Sequence, residues 1–356
     1  MHHPNSDVTE ALAALHAGAA ALTYEEENVW HTDRPEHRAA VDTLRELVAD
    51  GTFRGSALLA TDKEILWASG SGQKDTEGRT VTPLTTFEIG SLTKAFTACL
   101  IFRLIEAGKL ALTDRVTAFF PAFTQAGEMT VSELLHMRSG IVDFANDAEA
   151  FFEQDEAQVR ALWEGKLGDE ELLAQVRRLP LTFEPGTKEE YCNTNYVLLA
   201  LIAEKLTGKS WRENVEAQIF GPLGMDSSSA DTWGDVTSVP EGDDGYMKEL
   251  HTARGAGDIH AAAPDLLRFD RALFGGGIVG PESLKEMLSS RDSYGCGWFC
   301  GPGEGDMVTH TGGTGSYLSL NTVFHPQGER RYLIMLSASP EEAWIKAVME
   351  RCKAVL

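Results

Sequence analysis

Two β-rich segments lie near opposite ends of this chain with a long helical stretch between them, and that order leaves few ways to build a core. Gly55–Ala60 and Glu64–Ser69 read as short strands around the turn Thr61-Asp62-Lys63. Leu318–Phe324 and Arg331–Leu336 read the same way around His325-Pro326-Gln327-Gly328. Between them the apolar spacing is helical, most clearly over Val131–Met137, Glu170–Arg178, Thr194–Leu206 and Pro264–Phe274, and a last helix covers about Glu341–Val355. A sheet must bury at least one face, so the early and late strands are expected to join in one antiparallel sheet. The fold class expected is α+β: an antiparallel sheet flanked by helices, with a second, mostly helical lobe.

At 356 residues the chain exceeds one ordinary domain core. The expectation is an α/β lobe from about 37–113 and 291–356, and a helical lobe from about 114–290. Residues 7–22 read as a short amphipathic helix and 23–36 as a polar, acidic linker, so 1–36 is an extension outside the domain. His37–Asp50 reads as a helix with Ala40, Leu44 and Leu47 on one face. No internal repeat is visible.

The formal net charge is −23, which repels phosphate backbones and argues against a nucleic-acid partner. No run approaches the roughly 18 apolar residues of a membrane span. The first residues have no Lys or Arg and read poorly as a secretion signal, which favours the cytoplasm. The five cysteines, Cys99, Cys192, Cys296, Cys300 and Cys352, match no complete metal site and read as reduced, buried thiols. Whether Cys296 and Cys300 pair is left open. The oligomeric state is not readable.

The strongest helix is Ser91–Ala107, with Phe96, Leu100 and Leu104 spaced by four and Gly108 at the position of a C-terminal cap. At its start stands Ser91-Leu92-Thr93-Lys94. Side chains at i and i+3 share one face about 5–6 Å apart at Cβ. A serine hydroxyl beside a lysine that spends time neutral is an activated nucleophile. The alternative is an ordinary helix cap. Ser71-Gly72-Gln73-Lys74 has the same spacing, but no helix follows it, and it reads as a solvated turn.

Two further clusters add to Ser91. Tyr191-Cys192-Asn193 lies between the turn Phe183-Glu184-Pro185-Gly186 and an apolar helix, where a phenol and an amide can face one pocket. A half-buried tyrosine and an asparagine cap would look the same. His310-Thr311-Gly312-Gly313-Thr314-Gly315 precedes a strand, and its small residues would let backbone approach a substrate. A glycine turn with a solvated histidine is the plainer reading. His16-Ala17-Gly18 matches in part but sits in the alanine-rich extension.

Taken in order, Ser91-x-x-Lys94, Tyr191-x-Asn193 and His310-x-Gly312 resemble the serine β-lactamase and penicillin-binding-protein superfamily. The Tyr-x-Asn middle motif is similar to the class C branch, with its esterase and D-amino-acid peptidase relatives. Phe87–Ala98, Leu134–Gly140, Phe183–Gly186, Gly221–Met225 and Gly255–Phe269 resemble family segments, so the likeness runs from about residue 37 to the end. The resemblance implies an acyl-enzyme on Ser91, a proton-transfer pair of Lys94 and Tyr191, and Asn193 orienting Lys94 or the substrate. It also implies an oxyanion site at the backbone N–H groups of Ser91 and Gly313, and a substrate-binding role for His310, Gly312 and Gly313. It calls for no metal and no organic cofactor.

Two positions depart from the pattern. His310 stands where β-lactamases and peptidases carry a lysine that binds carboxylates, and Cys192 stands where serine is usual. The leading expectation is therefore a serine hydrolase of small esters or amides. The alternatives are a β-lactamase or D,D-peptidase proper, and a non-catalytic binding or sensing module. Substrate choice is expected to reside in the acidic stretches 144–170 and 228–254.

Overall fold

The structure is a computed structural model that describes residues 29–31, 35–73, 80–153, 155–163, 167–230, 253–300, 307–314, 317–339, 341–352 and 355–356. Its strands in chain order are β1 (Val29–His31), β2 (Gly55–Thr61), β3 (Ile65–Ser71), β4 (Phe87–Glu88), β5 (His260–Ala261), β6 (Phe299–Cys300), β7 (Met307–Gly313), β8 (Leu318–Phe324) and β9 (Arg331–Ser337). Seven form one sheet in the order β1-β3-β2-β9-β8-β7-β6, and β4 pairs with β5. All the pairings are antiparallel. The early and late strands meet as expected: β2 runs beside β9, with Ser56 opposite Leu336.

Both faces of the sheet are covered. On one face, α1 (Arg38–Ala49) packs beside the C-terminal helix Ala343–Cys352, burying Leu44, Leu47, Trp67, Leu333, Trp344 and Val348. The other face meets α2 (Thr93–Glu106), which is buried without a break from Thr93 to Phe102. Polar outward positions are missing from most of α2 because helices surround it. The helix α3 (Asn193–Thr207) lies against it, buried from Asn193 to Ala203. Farther along the chain, α4 (Ala263–Phe274) packs across β9 and β2.

The N-terminal reading needs one correction. Val29–His31 is not linker but an edge strand paired with β3, Trp30 opposite Ala68. β-Branched and aromatic residues there outweigh the acidic flank. The helix expected over 7–22 lies outside the described residues. All five cysteines are free thiols and all are buried, so Cys296 and Cys300 do not pair.

Candidate active site

The turn that carries Ser91 is set by its neighbours. Gly90–Leu92 form a single 3-10 turn before α2, so Ser91 precedes the α-helix rather than opening it. Its side chain caps nothing: the N-cap residue of α2 is Leu92, with no side-chain cap hydrogen bond. Gly90 has φ +51°, and a Cβ there would stand 2.8 Å from the Gly313 nitrogen. On the facing strand, a Cβ at Gly312 would stand 2.0 Å from the Ile89 carbonyl oxygen. Two side-chain-free positions thus let β7 press against the Ser91 turn, and the Ser319 hydroxyl donates to that same Ile89 oxygen at 2.7 Å. Gly312 accordingly faces the turn and not the cleft, which corrects the expectation that it opens the backbone to a substrate.

Lys94 is fully buried, and its Nζ has three partners. These are the Ser91 hydroxyl at 2.9 Å, the Asn193 Oδ1 at 2.7 Å and the Ala256 carbonyl oxygen at 2.7 Å. The faces of the Tyr191 and Tyr196 rings stand 4.9 and 5.8 Å away. Burial lowers Lys94 to about 7, against the upward pull of Asp143, Cys192 and Asp258. The Ala256 carbonyl is brought in by a loop tied to α2, where the Thr97 hydroxyl donates to the Gly255 carbonyl at 2.7 Å.

Two carbonyl oxygens are acceptors only, whereas a serine hydroxyl both donates and accepts. A neutral Lys94 therefore has its two hydrogens taken by Asn193 and Ala256, and its lone pair is left for the Ser91 O–H. This arrangement can accept a proton from serine without moving a heavy atom.

Tyr191 comes just before Cys192, the extended cap residue of α3, and its ring stacks on Phe299 with centroids 6.1 Å apart. Its hydroxyl is buried and has no hydrogen-bond partner among the described residues. Burial pushes the phenol well above its ordinary value, against the downward pull of the nearby Ser91 hydroxyl. Asn193 is the first residue of α3 rather than its cap. Cys192 turns away, its thiol donating to the Ile141 carbonyl at 3.3 Å.

His310 is not solvated and not in a turn: it lies within β7, 2% exposed. Its Nδ1–H donates to the Thr311 carbonyl at 2.6 Å, which leaves Nε2 to accept from the Tyr294 hydroxyl at 3.0 Å. Burial and then the Lys94 charge lower it to about 3, so the ring is neutral at any ordinary pH. Ser91, Tyr191, Asn193, His310 and Gly313 all line one cleft of about 410 Å³. None of its described lining residues carries a full charge. Phe144, Ala145 and Asn146 from the first acidic stretch line it too, as does Ala253 from the second. Residues 231–252 lie outside the described residues.

The sequence reading missed Ala256, Asp143, Tyr294 and Phe299. A backbone carbonyl leaves no signal in residue type. Tyr294 and Phe299 flank a Gly- and Cys-containing stretch whose proximity to His310 follows only from β6 pairing with β7. Among the described residues no group of three or more His, Cys, Asp or Glu could hold a metal ion. No described helix is long and apolar enough to cross a membrane.

An antiparallel sheet with flanking helices and a serine-lysine pair at the head of its buried helix defines a β-lactamase-fold architecture, and the comparisons agree. A family model described as Beta-lactamase matches residues 40–323. The chain belongs to that family of β-lactamase-fold serine hydrolases. Penicillin-binding protein 4* of Bacillus subtilis (strain 168) is 28% identical over 352 residues, which span 90% of this chain and 76% of that protein. The putative penicillin-binding protein PbpX of the same organism is 28% identical over 263 residues, 70% of this chain and 63% of that one. A penicillin-binding protein from Bacillus halodurans has the same fold, with TM-score 0.75 at 21% identity over 88% of this chain and all of that one. D-amino acid amidase from Ochrobactrum anthropi SV3, complexed with L-phenylalanine amide, superposes with TM-score 0.73 at 25% identity over 90% of this chain and 97% of that one.

Proposed function

We propose that the protein hydrolyses a small, uncharged ester or amide through an acyl-enzyme on Ser91. The observation that carries this reading is the set of partners around Lys94: a buried amine near neutrality whose lone pair is left for the Ser91 hydroxyl. In this reading Ser91 Oγ attacks the substrate carbonyl while its proton passes to Lys94 Nζ. The resulting ammonium faces the Tyr191 and Tyr196 rings, which favour a cation. Tyr191, kept protonated by burial, donates to the leaving oxygen or nitrogen and is replenished from Lys94. The backbone N–H groups of Ser91 and Gly313 hold the oxyanion, each such donor contributing about 2.7–4 kcal/mol. Water then cleaves the acyl-enzyme by the same groups in reverse.

His310 directs the choice of substrate. A neutral, buried imidazole whose Nε2 already accepts from Tyr294 offers no cation to a carboxylate. That supports simple esters and amides over β-lactams and peptide C-termini, and the likeness to an amidase supports the amide arm. A non-catalytic module has no use for a lysine buried at a desolvation cost against a serine.

The test is hydrolysis of p-nitrophenyl acetate and a small amide panel, with Ser91→Ala as blank and a fluorophosphonate probe read by mass spectrometry. Ser91 is expected to carry the label, and kcat/KM to rise through an apparent pKa of about 7 as Lys94 loses its proton. Lys94→Ala and Tyr191→Phe each should slow acylation about 10²–10⁴-fold. The double variant should be little worse than the slower single one, because the two act as a unit. Unlabelled Ser91, or folded variants that keep half the acylation rate, would overturn the reading.

A further inference from the structure

An asparagine amide presents an acceptor at one end and a two-hydrogen donor at the other, and only one end suits a proton-accepting lysine. In this site the oxygen end of Asn193 meets Lys94 at 2.7 Å. The nitrogen end donates to both carboxylate oxygens of Asp143, at 2.9 and 3.3 Å. A carboxylate accepts only, so it excludes the flipped amide. Asp143 is itself held: the Ala145 N–H reaches Oδ1 at 3.0 Å and the Asn146 side-chain amide reaches Oδ2 at 2.8 Å. It is 9% exposed and sits in the loop that contributes Phe144, Ala145 and Asn146 to the cleft.

We propose that Asp143 is a positioning residue: its carboxylate locks the Asn193 amide with the oxygen toward Lys94, and so keeps the Lys94 lone pair on the Ser91 hydroxyl. This rests on the proposed acyl-enzyme function. Without the lock, the Asn193 NH2 end can turn to the lysine nitrogen. The two donors then compete, and Lys94 turns a hydrogen instead of its lone pair toward Ser91.

The groups that face Lys94 are Asp143 beyond Asn193, Asp258 beyond Ala256, Cys192 before α3, His310 on β7, Tyr191 across the cleft and Tyr196 on α3, which burial keeps protonated. His310 is neutral, and burial keeps the Cys192 thiol and the Tyr191 phenol protonated. The Asp258 carboxyl, pushed up to about 7 by burial, is only part-ionised where Lys94 titrates. Asp143 exerts the largest charge effect on Lys94, raising it.

Asp143→Asn keeps size and removes both the charge and the one-way acceptor. Its kcat on p-nitrophenyl acetate should fall about tenfold or more with KM nearly unchanged, the mark of an interaction felt in the transition state. The apparent pKa of kcat/KM should move below the wild-type value, because a nearby anion that favoured the ammonium is gone. In an Asn193→Ala background the same substitution should change kcat less than about twofold, since its route to Lys94 is already cut. Additive losses in that cycle, or a wild-type profile in Asp143→Asn, would mean a purely structural carboxylate and overturn the proposal. Asp143→Ser, which likewise removes the charge and puts a group that both donates and accepts in place of the one-way acceptor, runs the same cycle if the asparagine variant fails to fold. A wild-type protein inactive on every ester and amide would instead defeat the functional reading itself.

Discussion

A lysine at position 310 would bring an ammonium to where a neutral ring now accepts from Tyr294. Two effects follow. The cleft gains the one charge it lacks for a carboxylate, worth about 1.5–3 kcal/mol for a charged hydrogen bond. Lys94 gains a like-charged neighbour, which disfavours its own ammonium. His310→Lys is therefore expected to raise the cephalosporin-to-ester ratio of kcat/KM by about ten- to a hundredfold. It should also move the rising, acidic limb of the pH profile below its wild-type position near 7. Steady-state kinetics from pH 5 to 9 on both substrates measures the two together. An unchanged ratio, or a wild-type protein that already prefers the cephalosporin by about tenfold, contradicts the role given to His310.

The contact between β7 and the Ser91 turn depends on having no side chain at Gly312, where a Cβ would lie 2.0 Å from a backbone oxygen. Gly312→Ala must push the strand outward, and overpacking of this kind typically costs about 1–3 kcal/mol. The strand carries Gly313 with it, so activity should suffer more than stability. The expected outcome is a modest fall in melting temperature with at least a hundredfold loss of kcat/KM, as for a lost oxyanion donor. A variant that melts lower but turns over normally would separate the two. This same strand marks where sequence reading ran out. β8 and β9 were legible because they are rich in Leu, Val, Ile, Phe and Tyr. In β7 the buried positions alternate as Val308, His310 and Gly312. The period of two is present, but the residues that carry it look like a turn. Ser91, Lys94, Tyr191 and Asn193 were legible because i, i+3 and i, i+2 spacings near helix starts are local. Asp143 reaches Lys94 only through the packing of its loop on α3, and Ala256 only through the packing of its loop on α2, which no spacing encodes.

Across the molecule, the buried Asp270 carboxyl links stability to pH. Asp270 on α4 is fully buried and pushed up to about 8 by burial, and its Oδ1 accepts from the Asn321 amide at 3.0 Å. Its Oδ2 and the Asn321 Oδ1 are both without partners among the described residues. A single proton on Asp270 lets Oδ2 donate to that oxygen and satisfies both atoms. The folded protein thus holds a proton that the unfolded chain releases near 3.8. The stabilisation is complete below that value, declines as pH rises and is gone above about 8. Asp270→Asn carries its own hydrogens, so it should flatten this dependence. It should also melt higher than wild type at pH 8.5, by the roughly 1–3 kcal/mol that an unmet buried acceptor costs. Parallel melting curves that never converge with pH would contradict it. The pairing of β2 with β9 carries a consequence for biosynthesis. Ser91 and Lys94 leave the ribosome early, but the turn that bears them is braced by Gly312 and Ser319, and the interior strand β2 finds its second neighbour only in β9, over Arg331 to Leu336. Until those late strands are translated, the nascent chain has a serine and a lysine but no braced turn to hold them, so the proposed acylation of Ser91 has to wait for the end of synthesis.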